Sequence, residues 1–286
     1  MKSLRWSLIG LAVFCTTATF AFAQMGGWDG VFGGEDASLA NLSGQESSGQ
    51  SAQDFEWSGR MASGETLEIK GINGSISVEP SSGSEVEVVA EARSRKSDPS
   101  TVRIEMVEHA DGLTFCAVYP TPDGRRENFC GAGEDGRMNT QDNDVSVHFE
   151  IRVPADIDFV GRTVNGDVEA YGLGGDVIAQ TVNGSIEIET EGFAEAETVN
   201  GSIDAVLGAS DLRFGAEFST VNGSITLDLH DDVDAEIDAT WLNGSFESSI
   251  PFYATGRVSR RSAQGTLGDG GVELELSTVN GSIEIR

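Results

Sequence analysis

Two sets of side chains in this sequence have types and spacings that could do chemistry: a recurring carboxylate and a pair of cysteines. The dipeptide Asn-Gly recurs through the second half of the chain. Three positions after each of its glycines, or of the matching one in a degenerate copy, stand Glu169, Glu187, Asp204, Thr226, Glu247, Gly268 and Glu284. Five of these seven are acidic, so any fold that stacks the copies lines their carboxylates along one outer edge. Like charges about 4.8 Å apart repel by roughly 0.9 kcal/mol in bulk water, and such a stripe draws divalent cations or a basic partner. Weak Ca2+ binding at Glu169, Glu187, Asp204, Glu247 and Glu284 is thus the one metal expectation, and no other cofactor is expected. The ordinary alternative is charge that keeps a sheet from aggregating.

Cys116 and Cys130 are expected to form a disulfide, because an even pair in an exported chain favours one. Closing that loop stabilises the fold by about 3 kcal/mol through the unfolded chain. A metal or thiol role is disfavoured, since there is no Cys-x-x-Cys and neither His109 nor His148 has ligand spacing. No catalytic residue is assigned: the chain has no nucleophile elbow, phosphate loop or zinc-type His pair. His230, Asp231, Asp232 and Asp234 could chelate a cation but read better as an acidic turn. Arg257, Arg260 and Arg261 read as charge compensation, and Gly172–Asp176 resembles a calcium nonapeptide fragment that does not recur in register. Six Asn-Gly-Ser sequences match the glycosylation acceptor, yet repeated turn chemistry explains them more simply.

Composition narrows the partners. With 47 acidic against 18 basic residues, and a net charge of −29, the chain has no basic patch for nucleic acid or anionic lipid. Residues 1–23 carry Lys2 and Arg5, an apolar stretch and the small-x-small end Ala21-Phe22-Ala23, the pattern of a cleaved export signal. No other segment could span a bilayer, so no transmembrane segment is expected after cleavage. Residues 24–54, rich in Gly, Ser and Gln, are expected to form a flexible tether. Residues 55–160 read as a β-rich region holding the cysteine loop, with period-two alternation at 66–70, 75–79, 85–89 and 145–153.

The elements that must position the carboxylates come from an internal repeat over residues 161–286. Thr-Val-Asn-Gly-Ser-Ile or a variant recurs with its turns at Asn165-Gly166, Asn183-Gly184, Asn200-Gly201, Asn222-Gly223, Asn243-Gly244 and Asn280-Gly281. A degenerate copy centres on Gln264, and an outlying relative on Asn73. A two-residue hairpin at Asn183-Gly184 would set Val182 against Ser185, mixing apolar and polar residues on each face. A chain that continues through a bend keeps Val182, Gly184 and Ile186 on one face instead. Two inward ladders follow: Val164, Val182, Val199, Val221, Leu242, Ala263 and Val279, and Val168, Ile186, Ile203, Ile225, Phe246, Leu267 and Ile283. The expected fold is all-β, a parallel β-solenoid (β-helix) with an N-terminal β-rich region; an antiparallel β-meander or sandwich is the alternative.

Phe55–Gly59, the stretch Leu67–Ile76, the strand 145–154 and the Asn-Gly-Ser-Ile series resemble the putative-adhesin family of exported bacterial β-strand-repeat proteins. The resemblance covers about residues 55–286. It implies a bacterial envelope location, periplasm or cell surface, and a β-helical fold, and it transfers no catalytic residue. The functional expectation is a non-enzymatic, adhesin-like interaction protein offering a rigid acidic surface to an unidentified envelope or surface ligand, protein or polysaccharide. The alternatives are a structural or self-assembling envelope protein and a carbohydrate-active enzyme on a β-helix. A C-terminal strand with no cap adds the expectation of edge-to-edge self-association. Trp241 and Tyr171 are expected on the outer surface.

Overall fold

Alternating burial marks nearly every strand, as in Val86–Arg93, where each second side chain is enclosed. The computed structural model describes residues 50–52, 55–208, 214–229, 233–254 and 259–286. The export signal, most of the tether, His230, Asp231, Asp232 and Arg257 lie outside those residues. The fold is all-β, with two large mixed sheets of twelve and ten strands among the described residues, neither of them closed. A two-stranded ribbon, Phe129–Cys130 with Gly136–Arg137, lies in the cysteine loop. Gln50–Ser51, which composition assigns to the tether, pairs with Arg103–His109, and Ala52 is fully buried. An apolar side chain with a place to go in the core overrides the bias of its Gly/Ser surroundings.

Each Asn-Gly copy sends one strand into the twelve-stranded sheet and the next into the ten-stranded sheet. Val177–Gln180 is thus followed across the Asn183 corner by Ile186–Thr190, and Ala194–Asn200 across the Asn200 corner by Ile203–Leu207. Within each sheet these strands pair in parallel, Ile186 beside Ile203 and Ile203 beside Ile225, with a register shift where Val168–Leu173 meets Ile186–Thr190. No hairpin sets Val182 against Ser185; Asn183 bridges in parallel to Asn165 and Asn200. Antiparallel pairs flank the parallel stack. On one side are Val86–Arg93 with Ser146–Val153 and Arg103–His109 with Gly112–Val118; on the other is Ala235–Asn243 with Ser262–Leu267. Everything described belongs to one unit, Gln45–Arg286, with a continuous apolar core between the sheets.

Three expectations about the repeats need correction. The order of copies in space is Asn73, Asn165, Asn183, Asn200, Asn222, Asn280, Asn243, so the last copy in sequence lies between two earlier ones. Ile283–Ile285 consequently has a strand on each side, Ile225–Leu229 and Phe246–Ser248, and is not a free edge. The degenerate copy is no rung at all. Its strand Ser262–Leu267 runs antiparallel beside Ala235–Asn243, with Leu267 opposite Ala235, and Gly268 sits in the following turn with φ +55°.

The third correction concerns the first inward ladder. Val182 and Val164 lie inside or partly so, but Val221, Val279 and Leu242 are 37%, 37% and 44% exposed. Threonine two residues before five of the asparagines is buried instead: Thr163, Thr181, Thr198, Thr220 and Thr278. The reason is parity. Thr198 and Ile203 both point inward, an odd interval that a continuous strand cannot give, so the bend itself consumes the extra residue. Each threonine hydroxyl donates to a glycine carbonyl of the preceding rung: Thr181 to Gly166 at 2.8 Å, Thr198 to Gly184 at 2.9 Å, Thr220 to Gly201 at 2.9 Å and Thr278 to Gly223 at 2.9 Å. A buried hydroxyl with a partner is tolerated where an unpaired one is not. The second ladder stands at Val168, Ile186, Ile203, Ile225 and Ile283, all fully buried, and at half-buried Phe246.

Candidate functional site: a carboxylate column beside an asparagine ladder

The corner that turns the chain between sheets is built by its own chemistry. From the second rung on, each Asn Nδ2 donates to the Oδ1 of the preceding rung at 2.8–2.9 Å, so that six bonds link all seven asparagines. Glycine follows because the rungs touch there. A Cβ on Gly201 would lie 1.8 Å from the Gly184 carbonyl oxygen, and one on Gly244 would lie 1.7 Å from that of Gly281. The requirement is close approach, and only Gly74 among the seven corner glycines has a positive φ, +119°. Serine succeeds glycine on the outer face, and Ser245 and Ser282 hydroxyls meet at 3.1 Å.

This corner fixes the register of the carboxylates one step along. On the outer face of the ten-stranded sheet, Glu169 stands beside Glu187, Glu187 beside Asp204, Asp204 beside Thr226, Thr226 beside Glu284, and Glu284 beside Glu247. All five predicted acids therefore share one column, with Thr226 as its single interruption. Sequence reasoning missed Glu150, which joins the same column through Ser77, because Ser146–Val153 pairs with the first rung from outside the repeat. Burial and the neighbouring Glu187 and Asp167 charges raise the Glu169 carboxyl above its ordinary value. Tyr171 lies on this face and donates its hydroxyl to Glu187, which pushes the phenol pKa up. Arg286 donates to Glu284 at 2.9 Å and holds that carboxyl below the usual range. Among the described residues no three His, Cys, Asp or Glu groups converge to hold a metal ion. Trp241, expected outside, is buried where other rungs carry threonine, stacked on Phe246 with ring centroids 5.8 Å apart.

A second polar cluster lies on the outer face of the twelve-stranded sheet. Strand Thr66–Lys70 alternates Leu67 and Ile69 inward, which points Glu68 and Lys70 outward, but the cysteine loop covers them to 3% and 6% exposure. Lys70 Nζ donates to the carbonyls of Gly131 (2.5 Å), Gly133 (2.5 Å) and Asp135 (3.1 Å) and lies 3.5 Å from Glu68. Glu68 accepts from Thr114 Oγ1 at 2.9 Å, from Gly133 N–H at 2.8 Å and from Arg162. Burial lowers the Lys70 pKa, and the Glu68 charge opposes the shift. The disulfide Cys116–Cys130 pins the same loop, with the two Cα atoms 5.5 Å apart. All three ammonium protons are spent on backbone carbonyls, so the cluster fastens a loop and leaves no donor for a substrate. Two charged residues in an alternating strand gave no sign of burial; only the glycine-rich loop tied to the neighbouring strand by a disulfide hinted at a cover.

No protein-family model matches the chain, and no curated protein matches it. Solved structures do. One is a putative cell adhesion protein from Clostridium sporogenes ATCC 15579, at 10% identity over 82% of this chain and 99% of that one, with a TM-score of 0.44. Another is a putative adhesin from Bacteroides fragilis NCTC 9343, at 11% identity over 82% and 97%, with a TM-score of 0.34. Among the described residues no helix is long and apolar enough to cross a membrane.

Proposed function

We propose that the chain is an exported, non-enzymatic interaction protein of the adhesin-like kind, whose rungs wind as coils of a β-solenoid and present an acidic face to a cationic ligand. The carrying observation is the carboxylate column. Its members are held in register by two independent ladders, asparagine at the corner and isoleucine beneath, so the charges cannot drift apart to relieve repulsion. The Glu169 carboxyl is raised first by burial and then by the neighbouring Glu187 and Asp167 charges, so repulsion is its secondary cause. A fixed row of like charges gains most from a partner that brings the opposite sign, and it speeds encounter with one. The Cys116–Cys130 bridge fits an oxidising compartment outside the cytoplasm, periplasm or cell surface.

The test compares wild type with a variant neutralised at Glu169, Glu187, Asp204, Glu247 and Glu284 (to Gln or Asn). Titration with calcium and with an oligolysine peptide should show salt-sensitive binding to wild type and little to the variant, whose melting should be unchanged or higher. Equal binding by both proteins would assign the column to solubility alone.

A further inference from the structure

We infer that Asn243 is a site of spontaneous covalent modification, the one Asn-Gly pair of the seven that the folded protein leaves free to cyclise and deamidate. Asn-Gly is the most susceptible sequence for this reaction, because glycine puts no side chain in the way of the attacking nitrogen. That nitrogen, from the residue after asparagine, bonds to the side-chain Cγ and gives up its proton to solvent. The Cγ–Nδ2 bond breaks as Nδ2 takes a proton back from solvent, and ammonia leaves. Water then opens the succinimide at either carbonyl, producing aspartate or isoaspartate. Solvent water is the only co-reactant.

The ladder blocks this chemistry at six positions in two ways. The attacking nitrogen is engaged: Gly74, Gly166, Gly184, Gly201, Gly223 and Gly281 donate their N–H to the carbonyls of Asn165, Asn183, Asn200, Asn222, Asn280 and Asn243, at 2.9–3.1 Å. The electrophile is clamped as well, since the Oδ1 of each of the first six asparagines in the stack accepts from the next rung. Their Nδ2 groups are also bound, that of Asn73 to the Val145 carbonyl at 3.3 Å. Asn243 is the end of the series. Its Nδ2 donates to Asn280, but among the described residues nothing donates to its Oδ1 and no carbonyl receives the Gly244 N–H. Leu242, Asn243, Gly244 and Ser245 are all exposed, so water reaches the pair. The product would carry a carboxylate where the terminal rung now donates to Asn280, and that hydrogen bond would be lost.

The experiment incubates the full chain, folded, in mildly alkaline buffer and follows each Asn-Gly peptide by mass spectrometry, with isoaspartate detection. A parallel sample is held unfolded in denaturant. Two fewer restraining hydrogen bonds predict that Asn243 converts about tenfold or more faster than Asn183 or Asn200 in the folded protein. In denaturant the seven rates should converge, which shows that structure, not local sequence, sets the ranking. Conversion of interior sites at the rate of Asn243, or an Asn243 as inert as they are, would overturn the inference.

Discussion

Thr198→Val separates the observed corner from the one that simple alternation predicts. Threonine and valine have nearly the same shape, so packing is kept and only the hydroxyl goes. Thr198 is 1% exposed, and its Oγ1 donates to the Gly184 carbonyl at 2.9 Å. Gly201 packs against the same carbonyl so closely that an added Cβ would lie 1.8 Å from its oxygen, which leaves water no easy approach. Depriving a buried acceptor of its donor costs about 1–3 kcal/mol, and the new methyl recovers less than about 1 kcal/mol. The net loss should be about 1–2 kcal/mol. Thr198→Ser, which keeps the hydroxyl, should lose less. Urea unfolding followed by far-UV circular dichroism measures this as a lower midpoint at unchanged slope. Val221→Thr, at a position 37% exposed, should stay within about 0.5 kcal/mol of wild type. A valine variant as stable as wild type would refute the claim that the buried hydroxyl holds the corner.

Three further outcomes are expected. Ile203→Asp puts an unpaired charge at a fully buried position between Ile186 and Ile225 and should cost more than about 4 kcal/mol, seen as loss of the folded circular dichroism signal. Lys70→Met leaves Glu68 and three loop carbonyls short of a partner, at a cost of about 3–5 kcal/mol, and limited proteolysis should cut first in the cysteine loop. Stability should also pass through a maximum on the acid side of neutrality. The carboxyls of Glu169, Glu275 and Asp158 are raised in the fold, chiefly by burial, so the native state holds protons that the unfolded chain has lost. Stability therefore rises as pH falls from their folded values to their unfolded ones, 4.5 for glutamate and 3.8 for aspartate. Asp144 is opposite in sign: backbone N–H groups, Ser97 first, pull it down to about 2, so its contribution is lost as pH falls from 3.8 toward that value. Melting temperatures that drop steadily from neutrality to pH 4.5 would contradict this sign.

How much of this was legible turns on which interactions are local. The strand that follows each corner could be read from the sequence, because Ile186 and Ile188 alternate with Glu187 and Glu189 and burial follows that alternation directly. The outward carboxylates follow from the same rule. The corner could not be read this way, since alternation carries no information through a bend, and the buried hydroxyl of Thr198 is stabilised by a carbonyl fourteen residues earlier in the chain. The Lys70–Glu68 cluster was hidden for a related reason: its partners lie in a loop more than sixty residues on. The exchanged order of the last two rungs has its own physical logic. Every interior rung carries threonine two residues before its asparagine, where the hydroxyl needs a rung beneath it, whereas the Asn243 copy carries Trp241. A large ring stacked on Phe246, with Phe252 against that in turn, covers a core that would otherwise lie open. The Asn280 copy keeps Thr278 and the full Val-Asn-Gly-Ser-Ile pattern, so it fits between two neighbours, and the aromatic copy serves as the end. Departure from the repeat consensus, read as a statement about which face lacks a neighbour, is the signal in the sequence that could have placed it there.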